Sequence, residues 1–141
     1  MYAVGRNVIV VGLALLATPL NGQSKTSVKV ATDAVRNATA DPIAVQFRNV
    51  RAQGAVICGE YNAKNSYGAY VGFDNFVFEP ARNEGFLMKS MARISRSGVI
   101  ESPEGIIKAL RGAGAGLDAK ASRQQMDKVT SDAAAMLLRC A

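Results

Sequence analysis

Two cysteines, Cys58 and Cys140, are the only thiols in the 141-residue chain, and once the compartment is known they constrain the fold more than any other feature. The compartment is written at the N-terminus. Arg6 precedes the apolar run Val8-Ile9-Val10-Val11-Gly12-Leu13-Ala14-Leu15-Leu16-Ala17, and Thr18-Pro19-Leu20-Asn21-Gly22 follows it. That is the order of parts in a secretory signal peptide. The run is about ten residues long, half of the roughly twenty that a spanning helix needs, and no second long apolar run follows it. The expectation is a removed leader over residues 1–22 rather than an anchor, with residues 23–141 forming one periplasmic or secreted domain. Cleavage fits after Ala17 or after Gly22, and the polar character of Pro19 and Asn21 favours the second. A buried N-terminal strand over Val8 to Val11 is the alternative. No cysteine stands just after the run to take a lipid.

In an exported chain an even cysteine count points to disulfide bonding, and two cysteines allow a single intramolecular pairing. Cys58 to Cys140 closes a loop of about 82 residues. In the loop-entropy picture this restricts the unfolded chain by about 4 kcal/mol, comparable with the whole stability of a small domain. Whatever the fold, the middle of the chain must meet its last turn. The other reading, a reactive thiol at Cys58, has no histidine to activate it, because the chain contains none.

Hydrophobic period then divides the chain into helix, strands and helix. Val28, Ala31, Val35 and Ala38 recur at spacings of three and four, marking one face of a helix over Lys25 to Ala40. Asp41-Pro42 interrupts it and suits a cap with proline at the first position of a further short turn. From Phe47 the period becomes two, as in a strand with one buried face. Gln53-Gly54 offers a reversal into a second strand, Ala55 to Tyr61, whose start is β-branched. The polar Asn62 to Gly68 segment reads as a hairpin connection into a third strand, Ala69 to Phe78. Phe86 to Ile94 fits a fourth strand or a short helix equally well, with Arg82-Asn83-Glu84-Gly85 as the turn before it. Ser102-Pro103 opens a short helix through Leu110, Gly112-Ala113-Gly114-Ala115-Gly116 breaks it, and a last helix runs from about Asp118 to Arg139. Met126, Val129, Ala133, Met136 and Leu137 lie on one side of that helix and would cover the sheet. The expected fold class is α+β: a small antiparallel meander of three to four strands, packed by N- and C-terminal helices and closed by one disulfide.

The available chemistry is narrow. Without histidine the Ser-His and Cys-His nucleophile systems and histidine zinc sites are gone, and no phosphate-loop or dinucleotide fingerprint is present. Asp74, Glu79 and Glu84 lack calcium-loop spacing. No cofactor and no metal is expected. Net charge is +6, and Arg6 is the only charge in the leader, which leaves +5 spread among interspersed acids. That pattern suits solubility and attraction to anionic envelope surfaces rather than a phosphate-tracking stripe, so a nucleic-acid partner is not expected.

Two functional readings stand. The first is a non-enzymatic binding module that uses Glu60, Asn62, Lys64, Asn65, Tyr67 and Tyr70 to contact an envelope or secreted protein or an anionic envelope polymer. Tyrosines on a polar connection favour partner contacts; the same residues also suit a plain turn, since asparagine accepts turn hydrogen bonds and Gly68 admits positive φ. The second is a small cell-envelope hydrolase with Glu60 as acid or base, tuned by Lys64 and partnered by Asp74. Against it, Glu60 can simply pair with Lys64 or Arg48 across the hairpin.

Asp41-Pro42, Phe47-Arg48-Asn49-Val50 and the stretch Cys58-Gly59-Glu60-Tyr61-Asn62-Ala63-Lys64-Asn65-Ser66-Tyr67-Gly68-Ala69-Tyr70-Val71-Gly72-Phe73 together resemble a family of small exported proteobacterial proteins of uncharacterised function, with the pattern DPxSxxFRNV followed by CGEVNAKNSxGGYxGxxxF. The likeness covers residues 41–76 and departs from the pattern at Ala44 or Val45, where a serine is usual, at Tyr61 and Ala69, and in a longer tail from Glu79 onward. It implies export, a compact α+β domain and a closing helix with a late cysteine, here Cys140. It implies no activity and no site residues.

Overall fold

The computed structural model describes residues 20–112 and 119–141. The leader expected over residues 1–22 lies outside them up to residue 19, and so does the Gly/Ala break beyond Gly112. The first helix, α1, spans Leu20–Asn37. It turns Ala31, Ala34 and Val35 fully inward, as their spacing requires, and carries Arg36 in its last turn beside the negative end of the helix dipole. Its closing carbonyls are taken up by Ala38 N–H on Ala34, and by the backbone N–H and hydroxyl of Thr39 on Arg36. Asp41-Pro42 makes a turn rather than a further helix, with Ala44 N–H donating to the Asp41 side chain.

Six strands follow: β1 Gln46–Gln53, β2 Val56–Asn62, β3 Asp74–Glu79, β4 Glu84–Leu87, β5 Ala92–Ser95 and β6 Gly98–Glu101. Each pairs antiparallel with the next, so the sheet is a six-stranded meander. The α+β class and the meander agree with the expectation; a count of three to four strands does not. β6 at Gly98–Glu101 adds a strand where none was expected, and 86–94 is neither one strand nor a helix. It folds back at Met88–Met91, where Met91 takes a left-handed φ of 50° and donates its N–H to the Met88 carbonyl. A left-handed methionine is an uncommon turn residue, so no glycine or proline announced the reversal. The third strand is also shorter than expected, because residues 69–73 stay outside the sheet.

Two helices complete the chain, α2 over Pro103–Gly112 and α3 over Ala119–Leu138. Ser102 caps α2 by accepting Gly105 N–H at 3.0 Å, with Pro103 in the first helical position. The helices divide between the two faces of the sheet. α1 covers Ile57, Phe76, Phe78, Leu87 and Ile94; Ile106 of α2 and Val129, Ala133 and Met136 of α3 cover Val56, Cys58, Val77 and Phe86. Alternate residues of β2 and β3 therefore serve opposite layers. This is why Val56-Ile57-Cys58 and Phe76-Val77-Phe78 read as unbroken apolar runs rather than alternating ones. Each fully buried phenylalanine or branched side chain contributes about 1.5–3 kcal/mol through removal from water.

Cys58 and Cys140 form the expected disulfide, with Cα atoms 5.8 Å apart. Beside it the Arg51 side chain donates to the Cys140 carbonyl at 2.8 Å, so the end of α3 is tied to both β1 and β2.

Candidate functional site

Between β2 and β3 the chain makes an arch over residues 63–73. One isolated bridge, Lys64 to Tyr70, closes its base. Asn65 shapes its top: the side-chain oxygen accepts the N–H groups of both Tyr67 and Ala69 at 3.0 Å, and the backbone of Asn65 bonds Gly68 and Ala69. Gly68 and Gly72 take φ of 78° and 92°, conformations that cost glycine least. The Asn-x-x-Gly grouping thus works as a turn-former, and what it fixes is a presenting loop.

The arch is anchored to the turn after α1. The Tyr70 hydroxyl donates to the Ala44 carbonyl at 2.8 Å. Lys64 Nζ lies 3.7 Å from the Asp41 carboxylate and 5.5 Å from the centre of the Tyr70 ring. On the other side, Phe73 supports the Arg48 guanidinium, 3.9 Å above its ring. Within this frame Tyr67 stands 92% exposed, and Tyr70, Val71 and Phe73 are also open to solvent. Ile43, next to the anchoring Ala44, is exposed as well. Behind the arch is a shallow cavity of about 230 Å³ bordered by Tyr61, Lys64, Asn65, Val71, Asp74 and Lys89.

Of the six expected contact residues, Lys64, Asn65, Tyr67 and Tyr70 come together in the arch. Glu60 and Asn62 do not join them, since both belong to β2. Asn62 is only 7% exposed and its amide is directed at Gln46, so it cannot form part of an outer surface. Glu60 receives Arg48 Nε and Nη2 and the Asn49 amide. Asn49 reaches it because β1 bulges between Arg48 and Arg51, with Asn49 at φ 54°. The bond from Arg48 holds the Glu60 carboxyl below the usual glutamate range; partial desolvation opposes that shift and the Asn49 amide adds to it.

A general acid needs the opposite arrangement, a carboxyl kept protonated by its surroundings. Nor does Asp74 supply a second carboxylate beside Glu60. Tyr61 lies opposite Asp74 in the sheet and Glu60 opposite Asn75, so the two carboxylates leave opposite faces. Asp74 is a structural acceptor: it takes the Tyr61 hydroxyl, Lys89 N–H at 2.7 Å and its neighbour Asn75 N–H. The Tyr61 hydroxyl is in turn pushed well above its ordinary pKa by burial first and by Asp74 second.

Sequence reasoning missed Ile43, Val71 and Phe73 as exposed apolar groups. Phe73 was placed inside a strand, and the break at Gly72 with its positive φ was the signal that could have moved it out. Among the described residues no cluster of three or more metal-ligating side chains occurs, and no helix is long and apolar enough to cross a membrane.

The fold and site define a small α+β protein in which an antiparallel meander lies between helices and carries an aromatic arch at one end. No family model, no curated protein and no solved structure matches the chain.

Proposed function

We propose that this is an exported, non-enzymatic binding module that presents the 63–73 arch to an envelope or secreted protein or to an anionic envelope polymer. One observation carries the reading: Tyr67 is held 92% exposed on a loop whose backbone is fixed by Asn65. An isolated exposed tyrosine is unremarkable in a flexible loop. Here the hydrogen bonds and the Tyr70 anchor have already reduced the entropy a partner must overcome, which is how rigid aromatic residues serve recognition surfaces. Lys64, loosely paired with Asp41, supplies a positive charge beside the rings. The apolar run at residues 8–17, which has the order of parts of a leader, the disulfide and the likeness of residues 41–76 to exported proteins support this reading of export.

The test is recovery of partners from envelope extract, and of isolated anionic envelope polymer by co-sedimentation, with wild type and with the variant Lys64→Ala/Tyr67→Ala. Loss of recovery by a folded variant is expected. Equal recovery by both proteins overturns the arch as the contact surface.

A further inference from the structure

A cavity of about 270 Å³ lies between the β3–β4 turn and α3. It sits at the end of β3 away from the arch, since the arch precedes Asp74 and the turn follows Glu79. Phe86 of β4 and Met136 of α3, both buried, give it an apolar floor. Three cations border it: Arg82 in the turn, Lys128 on α3 and Arg139 just beyond that helix. All three side chains are open to solvent on one side. Glu84 and Asp132 are the two carboxylates in the lining.

Both of those carboxylates are already engaged. Arg93 of β5 lies 3.3 Å from Glu84 through Nε and 2.8 Å from Asp132 through Nη2, and its Nε is also 3.7 Å from Glu101 of β6. Lys128 adds a second contact to Asp132 at 2.8 Å. Behind the rim Glu79, only 8% exposed, accepts Arg139 Nη1 at 2.7 Å and holds that guanidinium at the cavity. The donors, by contrast, are largely unspent. Arg82 makes no side-chain hydrogen bond among the described residues and stands 4.0 Å from Glu79, while Arg139 commits only one of its nitrogens. Acceptors filled and guanidinium donors left over, in a hollow that partly excludes water, is an arrangement that receives an anion. The planar fork of an arginine matches a carboxylate or a phosphate at two points. Phe86 and Met136 below add contact for an apolar body.

We infer that this cavity binds a small organic anion, a carboxylate or phosphate carried on a compact apolar body. The acid group sits between Arg82 and Arg139, Lys128 adds positive charge at the rim, and the body lies against Phe86 and Met136. The site is separate from the arch and independent of the arch's role.

NMR titration of the purified, isotope-labelled protein with phenyl phosphate and with benzoate tests it. Inorganic phosphate and benzyl alcohol probe the acid group and the ring separately. Saturable shifts at residues 82–86 and 132–139 are expected with at least one of the two ring-bearing anions, and the tighter of them identifies the acid group. Both controls should bind more weakly. Arg82→Ala, which removes a largely exposed side chain, should weaken binding about tenfold, the size of one charge-assisted hydrogen bond. Lys128→Ala should weaken it several-fold, and Lys64→Ala/Tyr67→Ala in the arch should bind as wild type does. Circular dichroism checks that each variant is folded. Shifts that do not saturate or that map elsewhere, a control that binds as tightly, an Arg82→Ala protein that binds like wild type, or loss of binding in the arch variant would each overturn the proposal.

Discussion

The guanidinium of Arg48 and the carboxylate of Glu60 meet across the β1–β2 hairpin in a two-point pair, Nε to Oε2 at 2.5 Å and Nη2 to Oε1 at 3.3 Å. Arg48 rests on Phe73, the last residue of the arch, so this pair joins the bulge of β1 to the foot of the arch. Its pH dependence follows from sign. Glu60 titrates lower folded than unfolded, chiefly because of Arg48. Its contribution is fully present above the ordinary glutamate pKa of about 4.3 and is lost as pH falls through the lower folded value. NMR titration of the Glu60 carboxyl should show the midpoint rising toward the ordinary range in Arg48→Ala. An unchanged midpoint would refute the pairing.

Replacing both cysteines by alanine should cost about 2–5 kcal/mol. The bridge closes 82 residues, and alanine leaves no polar group in the apolar cluster around Cys58. Urea unfolding should show a lower midpoint together with a steeper slope, since the unlinked chain exposes more surface when unfolded. A midpoint unchanged from that of the oxidised wild type would contradict this.

Two sheet glycines should differ in their tolerance of alanine. At Gly59 a Cβ would meet the Phe76 ring at 2.7 and 2.9 Å, and at Gly85 it would meet the Val77 carbonyl oxygen at 2.4 Å and the Phe78 Cα at 2.9 Å. A ring can tilt within its packing, whereas a paired backbone carbonyl cannot yield without moving the strand. Gly59→Ala should cost about 1–3 kcal/mol, the usual range for overpacking, and Gly85→Ala more. Thermal unfolding of the two variants checks the order.

Asn65→Ala and Tyr67→Ala separate the shape of the arch from its contact. Asn65→Ala removes the acceptor for two N–H groups, so amide exchange at Tyr67 and Ala69 should quicken while global stability changes little. Tyr67→Ala should leave both exchange and stability within about 0.5 kcal/mol of wild type, as exposed sites do. Both should lower partner recovery. Full recovery with Asn65→Ala, despite faster exchange, would show that preorganisation of the arch is not used.

Particular residues show where sequence reasoning reached and where it ended. The faces of α1 and α3 were largely legible because helical period depends only on which side chains avoid water: Ala31, Val35, Val129, Ala133 and Met136 are buried as that period requires, whereas Met126, expected on the same side of α3, is 37% exposed. The Gln53-Gly54 reversal was legible because Gly54 adopts positive φ, at 58°. The β4–β5 reversal was not, because its special conformation falls on Met91, whose type carries no turn signal. In the candidate site, local chemistry was enough to group Lys64, Asn65, Tyr67 and Tyr70, which share the arch. Asn62 was misassigned as a surface contact because residue type alone does not reveal that its side chain is buried against Gln46.

By itself the sequence determined the three helices, the first two strands, the pairing of its two cysteines and the turn-forming role of Asn65 and Gly68, because each follows from periodicity, backbone preference or the count of available partners. The tertiary structure alone decided that α1 and the α2–α3 pair occupy opposite faces of the sheet, and that Glu60 is neutralised by Arg48 while Asp74 leaves the other face. Those outcomes depend on register and on which layer covers which face, and a shift of one residue would exchange them all.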